Sequence, residues 1–256
     1  MYEHRHALLD ETITDSTPGY RTTSETNTCI VLSNGKDLNL NGRHILCDSP
    51  SGTCGTAVSG LAAGSILQGG AIDGGFEIGA DNVEEVRNMT IDGAHTAVYA
   101  PNSGTLTRRV HGNVIRNVFE GIALGGATLP STAYVMDNFL EAPRFLTGTA
   151  LGYEYSYAGW AISICASTSG NGPRVEKNFI RNFGGPLLEQ GDTGGGIVTV
   201  DCNFGTFVRV TDNILSNIAD DADEILDFCA PDAVISGNIC DDPAMCPTPD
   251  PPFVMP

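Results

Sequence analysis

The hydrophobic pattern of this chain is a pair of apolar residues five positions apart, repeated along most of its length. A tight turn separates the two members of each pair, and such a pattern predicts two short strands joined by a sharp bend. The chain is therefore expected to be built from one recurring unit. The pairs are Leu40/Ile45, Leu67/Ile72, Val86/Ile91, Val110/Ile115, Val135/Leu140, Val175/Ile180, Val210/Leu215 and Ile235/Cys240.

In five of these pairs the turn ends in Asn, preceded by Gly, Asp or Lys. Asn and Gly tolerate the left-handed backbone conformation, so each of these dipeptides marks a sharp bend. We expect the Asn side chains to stack from copy to copy as a hydrogen-bonded ladder, because a ladder satisfies buried amide groups. The dipeptides are Gly112-Asn113, Asp137-Asn138, Lys177-Asn178, Asp212-Asn213 and Gly237-Asn238.

A third short apolar segment follows the pairs, as in residues 121–124, 161–164 and 197–200. Successive pairs begin 27, 19, 24, 25, 40, 35 and 25 residues apart, and no helical pattern occurs between them. A period near 24 residues that holds three short strands is typical of one coil of a β-solenoid. A leucine-rich repeat has a similar period, but its Leu-rich consensus is missing here. A β-sandwich would not keep Asn at one turn position.

Residues 37–45, Asp-Leu-Asn-Leu-Asn-Gly-Arg-His-Ile, resemble the opening coil of right-handed parallel β-helix proteins of the pectate-lyase-like superfamily. The later Asn-x-Ile-x-Asn and Gly-Ile strings resemble the coils of those proteins, so the resemblance spans roughly residues 28–242. It implies an all-β fold, a right-handed parallel β-helix of about eight coils. The expected organisation is an N-terminal cap over residues 1–28, the β-helix domain over residues 29–242 and an extended, Pro-rich tail over residues 243–256.

The fold that this resemblance implies is shared by lyases, hydrolases, epimerases and adhesins, so activity has to be argued from a site. Polygalacturonases carry Gly-His-Gly and Arg-Ile-Lys motifs, and pectate lyases carry Trp-Ile-Asp-His and Arg-x-Pro-x-x-Arg motifs. None of these motifs occurs in this chain. No catalytic residue of either enzyme can therefore be transferred, and whether the protein is an enzyme stays open.

The chain contains 31 acidic residues against 13 Lys and Arg residues, which gives a net charge of −18. Such a surface repels the phosphates of nucleic acid and the head groups of anionic lipid, so neither is an expected partner. It would also repel acidic polysaccharides unless a cation bridges them. No run approaches the roughly 18 apolar residues that a membrane span requires.

Eight cysteines without a Cys-x-x-Cys pair favour disulfides over a zinc site. Disulfides imply an oxidising compartment, so we expect an extracellular or cell-surface protein whose leader is not part of this sequence. The pairs Cys47/Cys54 and Cys240/Cys246 would close small loops, and Cys202 would pair with either Cys165 or Cys229.

Two adjacent periods are long, and their extra residues should emerge side by side and wall a groove. The first insertion contains Tyr153, Tyr155 and Tyr157, whose alternation in an extended segment directs them to one face. They would serve as platforms for sugar rings, or the segment would be a hairpin laid on the rod. The second insertion contains Glu189 and Asp192, which would form a carboxylate pair for acid–base chemistry unless they are simply solvated.

The residue that follows the second member of each pair should face solvent. In successive copies this position holds Arg116, Glu141 and Arg181, which predicts either a surface ion-pair ladder or a strip that contacts an anionic substrate. If the protein is a catalyst, we expect Lys177 or Arg181 to act with nearby carboxylates in a lyase-like β-elimination. Such a reaction needs a base near the α-proton and a cation that neutralises the uronate carboxylate.

A dense group of carboxylates follows the last long period. Ca²⁺ binds through about six to eight oxygen ligands, so this group predicts a calcium site, with a solvated acidic loop as the alternative. The leading functional hypothesis is a secreted protein that binds or modifies an extracellular carbohydrate. The alternative is a structural or surface protein that self-assembles end to end into filaments. The carboxylates are Asp220, Asp221, Asp223 and Glu224.

Overall fold

A computed structural model describes residues 19–24, 26–33, 35–61, 63–100, 108–125, 133–142, 148–150, 153–155, 159–165, 170–183, 195–200, 206–218, 225–227 and 234–241. Every regular element in these ranges is a β strand, which confirms the all-β prediction. The same ranges contain no helix that is long and apolar enough to cross a membrane.

Three sheets of parallel strands form the body of the protein, and the strands are numbered in chain order. Sheet A contains β1 (Gly19–Thr22), β4 (His44–Cys47), β7 (Ala71–Asp73), β10 (Thr90–Asp92), β13 (Val114–Arg116), β16 (Phe139–Glu141), β21 (Phe179–Arg181), β24 (Ile214–Ser216) and β27 (Ile239–Cys240). Sheet B contains β2 (Ile30–Leu32), β5 (Thr53–Gly60), β8 (Gly75–Asp81), β11 (Thr96–Ala100), β14 (Glu120–Leu124), β19 (Ile162–Cys165), β22 (Ile197–Val200) and β25 (Ile225–Asp227). Sheet C contains β3 (Asp37–Asn39), β6 (Ile66–Gln68), β9 (Glu85–Arg87), β12 (Arg109–His111), β15 (Tyr134–Met136), β20 (Gly170–Glu176), β23 (Thr206–Thr211) and β26 (Val234–Ser236).

The chain visits the sheets in a fixed order, from B to C to A, and then begins the next coil. This path stacks each coil on the one before it, as a β-helix solenoid requires. The segments between sheets A and B and between sheets B and C vary in length, whereas most bends between sheets C and A are two residues long. Among the described strands, the one antiparallel pair is a hairpin of β17 (Gly148–Ala150) and β18 (Tyr153–Tyr155).

The interior is lined by the middle residue of each short strand, because side chains alternate between the two faces. Burying an Ile or Leu side chain in such a row contributes about 1.5–3 kcal/mol. In the first coil the predicted first member of the apolar pair, Leu40, was wrong by two positions. Leu38, not Leu40, shares a row with Leu67, because Asn41 and Gly42 are both left-handed and lengthen the bend before β4. The sheet A row includes Ile45, Ile72, Ile91, Ile115, Leu140, Ile180 and Leu215, all 0% exposed.

The bend between sheets C and A has one left-handed residue in each of the Asn-containing coils. This residue is the one before the ladder Asn, with φ of 66° at Gly112, 55° at Asp137 and 57° at Lys177. The prediction of a sharp bend is confirmed, and the structure adds that the residue before Asn makes it. The Asn residue is thereby left to turn its side chain inward.

The inward Asn side chains form the predicted ladder. Each Nδ2 group donates to the Oδ1 of the next Asn at 2.9 Å, from Asn113 through Asn138, Asn178 and Asn213 to Asn238. Each Nδ2 also donates to a Val carbonyl oxygen of the preceding coil, at 2.8–3.0 Å. The side chains of the first four rungs are at most 2% exposed, so the ladder satisfies amide groups that water does not reach.

The cysteine predictions are confirmed in part. Cys47 and Cys54 form a disulfide with an S–S distance of 2.03 Å. Cys240 is also disulfide-bonded. Cys165 aligns with Val200, two residues before Cys202, which itself lies outside the described ranges. Cys29 is a free thiol, and burial raises its pKa to about 11.

Candidate functional site

The corner between sheets A and B is where the chain departs most from the basic coil. β16 and β21 are neighbours in sheet A, and β19 and β22 are neighbours in sheet B. The first insertion connects β16 to β19 and the second connects β21 to β22, so both insertions begin side by side and end side by side. The acidic residues 220–224 lie outside the described residues; in the chain they come after β24, the next strand of sheet A.

Part of the first insertion is the antiparallel hairpin of β17 and β18. Tyr153 and Tyr155 occupy alternate positions of β18, opposite Ala150 and Gly148. The backbone of this part of the insertion is thus an antiparallel hairpin. Whether the tyrosines bind sugar stays a prediction, and Tyr157 lies outside the described residues.

The predicted acid–base pair and the predicted calcium ligands also lie outside the described residues. Those predictions therefore stay predictions. Within the described ranges, no group of three or more His, Cys, Asp or Glu side chains is arranged to hold a metal ion. The residues concerned are Glu189, Asp192, Asp220, Asp221, Asp223 and Glu224.

Three charged residues on the outer face of sheet A form a column. Arg116, Glu141 and Arg181 are partners in the strand register. Arg181 Nη2 lies 2.7 Å from Glu141 Oε1, and Arg116 Nε lies 3.9 Å from Glu141 Oε2. The predicted ion-pair ladder is therefore present. We call these three residues the charged column.

Two phenylalanine rings lie beside the charged column, at the start of β16 and β21. Phe139 and Phe179 stack with their centroids 5.5 Å apart and their planes 6° apart. The guanidinium carbons of Arg116 and Arg181 lie 5.4 Å and 5.2 Å from the Phe139 centroid. These cation–π contacts and the ion pairs to Glu141 orient both guanidinium groups. The buried Nε of Arg181 finds no hydrogen-bond partner among the described residues.

Lys177 is separated from the charged column by the length of β21. It is exposed and occupies the left-handed bend between β20 and β21, where its amide donates to the Thr211 carbonyl at 3.2 Å. The three residues of β21 cover about 10 Å, so Lys177 and Arg181 lie near opposite ends of this strand. The structure thus brings Arg116, Glu141 and Arg181 together and leaves Lys177 apart from them.

A chain of hydrogen bonds at the A–B corner was not predicted from the sequence. Nδ1 of His95 lies 3.2 Å from Oγ1 of Thr96, and this hydroxyl donates to Oε2 of Glu120 at 3.2 Å. The imidazole stacks on the Phe119 ring at 4.8 Å. Burial lowers the pKa of His95 below its ordinary value, although Glu120 and Glu77 favour the charged form. The neutral imidazole is therefore the favoured form beside the insertions.

The outer face of sheet C holds a second charged surface that the sequence prediction missed. The carboxylate of Glu85, 5% exposed, lies 2.8 Å from Arg87 Nη1, 2.8 Å from Arg109 Nη2 and 3.2 Å from His111 Nε2. Arg87 Nε also donates to Gln68 Oε1 at 2.9 Å. His111, which has no evident partner in the sequence, is thus held by a buried carboxylate. The signal in the sequence is a titratable residue on both sides of the inward Val86, Val110 and Val175.

The same surface continues over the following coils. The register aligns Arg109, Tyr134, Arg174 and Arg209 in one row across neighbouring strands. The Tyr134 ring lies 5.5 Å from the His111 ring and 5.6 Å from the guanidinium carbon of Arg174. We call this surface the arginine strip, and it consists of Arg87, Arg109, His111, Tyr134, Arg174 and Arg209.

The chain matches no protein-family model, no curated protein and no solved structure. The parallel sheets and the Asn ladder agree with the β-helix part of the resemblance seen in residues 37–45 and in the later coils. The pectate-lyase-like part of that resemblance stays a prediction. Function has to be argued from the contacts and charges of the described residues.

Proposed function

We propose that this protein is a right-handed parallel β-helix of about eight coils, of the pectate-lyase-like kind, that binds an extracellular carbohydrate. The three parallel sheets and the Asn ladder support the fold. The disulfide between Cys47 and Cys54 supports export to an oxidising compartment. The proposed binding site is the A–B corner, where the charged column meets the two insertions.

The position of the charged column is the observation on which this proposal rests. Glu141 and Arg181 end two neighbouring strands of sheet A, and the two insertions follow these strands. Carbohydrate sites combine a few oriented polar groups with aromatic surface. The charged column would supply the oriented polar groups, and Tyr153 and Tyr155, on the hairpin that follows β16, would supply the aromatic surface.

A lyase-like reaction is the chemical extension of this binding site. In a β-elimination a base removes the proton α to a uronate carboxylate, a carbon–carbon double bond forms, and the glycosidic oxygen leaves and takes up a proton. Arg181 would neutralise the uronate carboxylate by pairing with it and giving up part of its ion pair with Glu141. Lys177 lies at the other end of β21 from Arg181. The base would therefore be Glu189 or Asp192, which belong to the insertion that follows Arg181 in the chain. A Ca²⁺ ion held at residues 220–224 would bridge the acidic corner to an acidic glycan.

A glycan array, run with and without Ca²⁺, tests the proposed function. The double variant Tyr153→Ala/Tyr155→Ala should weaken binding of the best glycan by about tenfold or more, which corresponds to about 1.4 kcal/mol. Tyr99→Ala, on strand β11 of sheet B, is the control and should change the affinity by less than about twofold. Binding of no glycan under either condition would overturn the proposal.

Filament formation is the second candidate function, and exposed apolar residues on the last described strands favour it. Ile239 is 62% exposed, Val234 is 43% exposed and Ile214 is 39% exposed. Ile214 and Ile239 are neighbours on sheet A, and Val234 lies on the last strand of sheet C. Apolar groups at the end of a stack of parallel strands favour contact with another copy.

Electron microscopy at rising protein concentration tests filament formation. The wild type should form rods that lengthen with concentration, and Ile239→Lys should keep the protein monomeric. Particles of one monomer length at every concentration would exclude this second function.

A further inference from the structure

Asn88 is an asparagine in the bend between sheets C and A that does not belong to the ladder. It precedes the ladder position, which in this coil holds Met89, and the Met89 amide donates to Oδ1 of Asn113 at 3.0 Å. Met89 is 1% exposed, whereas Asn88 is exposed and left-handed, with φ of 51°. A shift of one position along the bend therefore moves an asparagine side chain from the core to the solvent.

The side-chain amide of Asn88 makes no hydrogen bond to any residue that the structure describes. Asn117, which is left-handed in the same way, does use this group, because its Nδ2 donates to Oδ1 of Asp92 at 2.7 Å. The backbone of Asn88 is held on both sides, since its amide donates to the His111 carbonyl at 3.3 Å and its carbonyl accepts from the Gly69 amide at 3.2 Å. The bend thus fixes the backbone and leaves the amide nitrogen of the side chain available.

The neighbouring coils leave room for a large group on Asn88. The residues aligned with it are those that follow Gln68 and His111 in the strand register, and both are glycines, Gly69 and Gly112. A Cβ atom at Gly112 would lie 2.9 Å from Oδ1 of Asn88, so the Asn88 side chain occupies the space that a side chain there would need. No side chain therefore stands beside Asn88 at this bend position on either adjacent coil.

Thr90 completes the sequence Asn88-Met89-Thr90, which is the one Asn-x-Ser/Thr tripeptide in the chain. This tripeptide is the acceptor sequence for N-linked glycosylation. The ladder asparagines do not carry it, because the second residue after each of them lies in the core row of sheet A and is Ile, Leu or Cys. Thr90 begins β10, one residue before that row, and is half-buried on the outer face. The same shift that exposes Asn88 therefore also allows a threonine at the position the acceptor sequence requires.

We infer that Asn88 is a site of N-linked glycosylation. In this reaction Nδ2 of Asn88 forms a bond to C1 of an oligosaccharide that is carried on a lipid diphosphate. The bond between C1 and the diphosphate oxygen breaks, the lipid diphosphate leaves, and Nδ2 loses a proton. The inference rests on the export that the proposed function includes, because the lipid-linked donor and the transferase belong to the secretory pathway.

The attached glycan would be joined to a different edge of sheet A from the proposed binding site. The three residues of β10 cover about 10 Å and separate the bend at Asn88 from the A–B corner. The alternative explanation is that Asn88 serves only the left-handed bend, as Gly69 and Gly112 do on the adjacent coils. The two explanations differ at Thr90, because the bend needs no hydroxyl group at that position and the transferase does.

Expression of the full chain behind a signal peptide in a eukaryotic secretory host tests the inference. Digestion with peptide:N-glycosidase F should increase the mobility of the wild type on a denaturing gel. The same digestion in heavy-oxygen water should place the oxygen label at position 88, which peptide mapping by mass spectrometry shows. The secreted protein and the protein retained in the cell are both measured, and an unmodified Asn88 in both would overturn the inference.

Two variants should abolish the mobility shift and one should retain it. Asn88→Gly removes the acceptor nitrogen and keeps a residue that adopts the left-handed bend, whereas Thr90→Ala leaves Asn88 in place. Thr90→Ser should still be modified. The control is Asn41→Gln, because Asn41 is also exposed and left-handed, with φ of 50°, but is followed two positions later by Arg43. A shift that persists in Thr90→Ala, or that is lost in Asn41→Gln, would overturn the assignment to Asn88. A urea unfolding curve shows that each variant is folded.

The outcomes separate this inference from the proposed function. Modification of Asn88 in a protein that binds nothing on the glycan array keeps the inference and removes the proposed function. Binding on the array by a protein whose Asn88 stays unmodified in the secretory host keeps the proposed function and removes the inference. Asn88→Gly should bind the best glycan of the array within about twofold of the wild type, because its bend lies across sheet A from the A–B corner.

Discussion

The side chain of Asn138 donates to Oδ1 of Asn178 at 2.9 Å, although the two residues are 40 positions apart in the chain. The preceding rungs, Asn113 and Asn138, are 25 positions apart and show the same distance. The first insertion therefore leaves the stack at the A–B corner without shifting the ladder. This geometry separates the scaffold from the segments in which the coil length changes.

The ladder should make a large contribution to the free energy of unfolding. Asn138→Ala removes the donor to the Val110 carbonyl and the acceptor for the Asn113 amide, both in the core. Each unsatisfied buried group costs about 1–3 kcal/mol, so the loss should be about 3 kcal/mol or more in urea unfolding. Asn39→Ala is the control, because Asn39 is exposed and its Oδ1 accepts from the Asn41 amide. Similar losses in both variants would contradict the role of the ladder.

Two glutamates should differ sharply in their effect on stability. Glu85→Gln should cost about 2 kcal/mol or more, because the Glu85 side chain is 5% exposed and pairs with Arg87 and Arg109. Glu141→Gln should cost less than about 1 kcal/mol, because its partners Arg116 and Arg181 are 50% and 42% exposed. Thermal and urea unfolding of the two variants in parallel measure the difference. A larger loss for Glu141→Gln would reverse this ranking of the two surfaces.

The stability of the protein should depend on pH through His95. Burial lowers the folded-state pKa of His95, so the unfolded chain binds a proton on this side chain more readily than the folded protein does. The contribution of neutral His95 to the free energy of unfolding is complete above the unfolded-state pKa of about 6.5. It is lost as the pH falls from there towards the folded-state pKa. We expect the urea midpoint of the wild type to drop between about pH 7 and pH 5 more than that of His95→Phe.

The variant His95→Phe is the suitable comparison because a phenyl ring keeps the stack on Phe119 and does not titrate. Carboxylates titrate in both proteins, so only the difference between their pH profiles reports on His95. Parallel profiles for the two proteins would show that His95 does not titrate differently in the folded state.

The thiol of Cys29 should be slow to react in the native protein. Burial raises its pKa to about 11, whereas a free cysteine titrates near 8.5. At pH 8 the thiolate fraction, and with it the rate of alkylation by iodoacetamide, should be on the order of 100-fold lower than in urea. Mass spectrometry of the peptide that contains Cys29 measures the two rates. Nearly equal rates would mean that the thiol is reached without unfolding.

The repeat and its ladder were predictable because they depend on residue type at fixed spacing. An apolar residue, a bend and a second apolar residue recur from Leu67 onward, and the strand register confirms both rows. The prediction was wrong only where the bend itself changes length, at Leu38 and Leu40. There the left-handed pair Asn41 and Gly42 adds residues, and an apolar residue inside the bend is still buried, so the pattern alone could not show the shift.

The contacts of Glu85 in the arginine strip were not predicted, because they cross from one outer row of sheet C to the other. Glu85 and His111 are 26 positions apart, and Tyr134 and Arg174 are 40 apart. Which charges meet depends on the register of stacked coils whose lengths differ. The charged column was predicted because its three members follow a core residue directly and inherit the register of that residue.

The sequence by itself therefore determined the all-β repeat, the inward Asn ladder and the rows of core residues, since backbone bends and apolar burial act over a few neighbouring positions. The tertiary structure alone decided that the two insertions connect sheet A to sheet B, and that Arg87, Arg109 and His111 meet over buried Glu85. The physical reason is that a solenoid brings residues of different coils within about 4.8 Å of one another, and only the completed stack defines those neighbours.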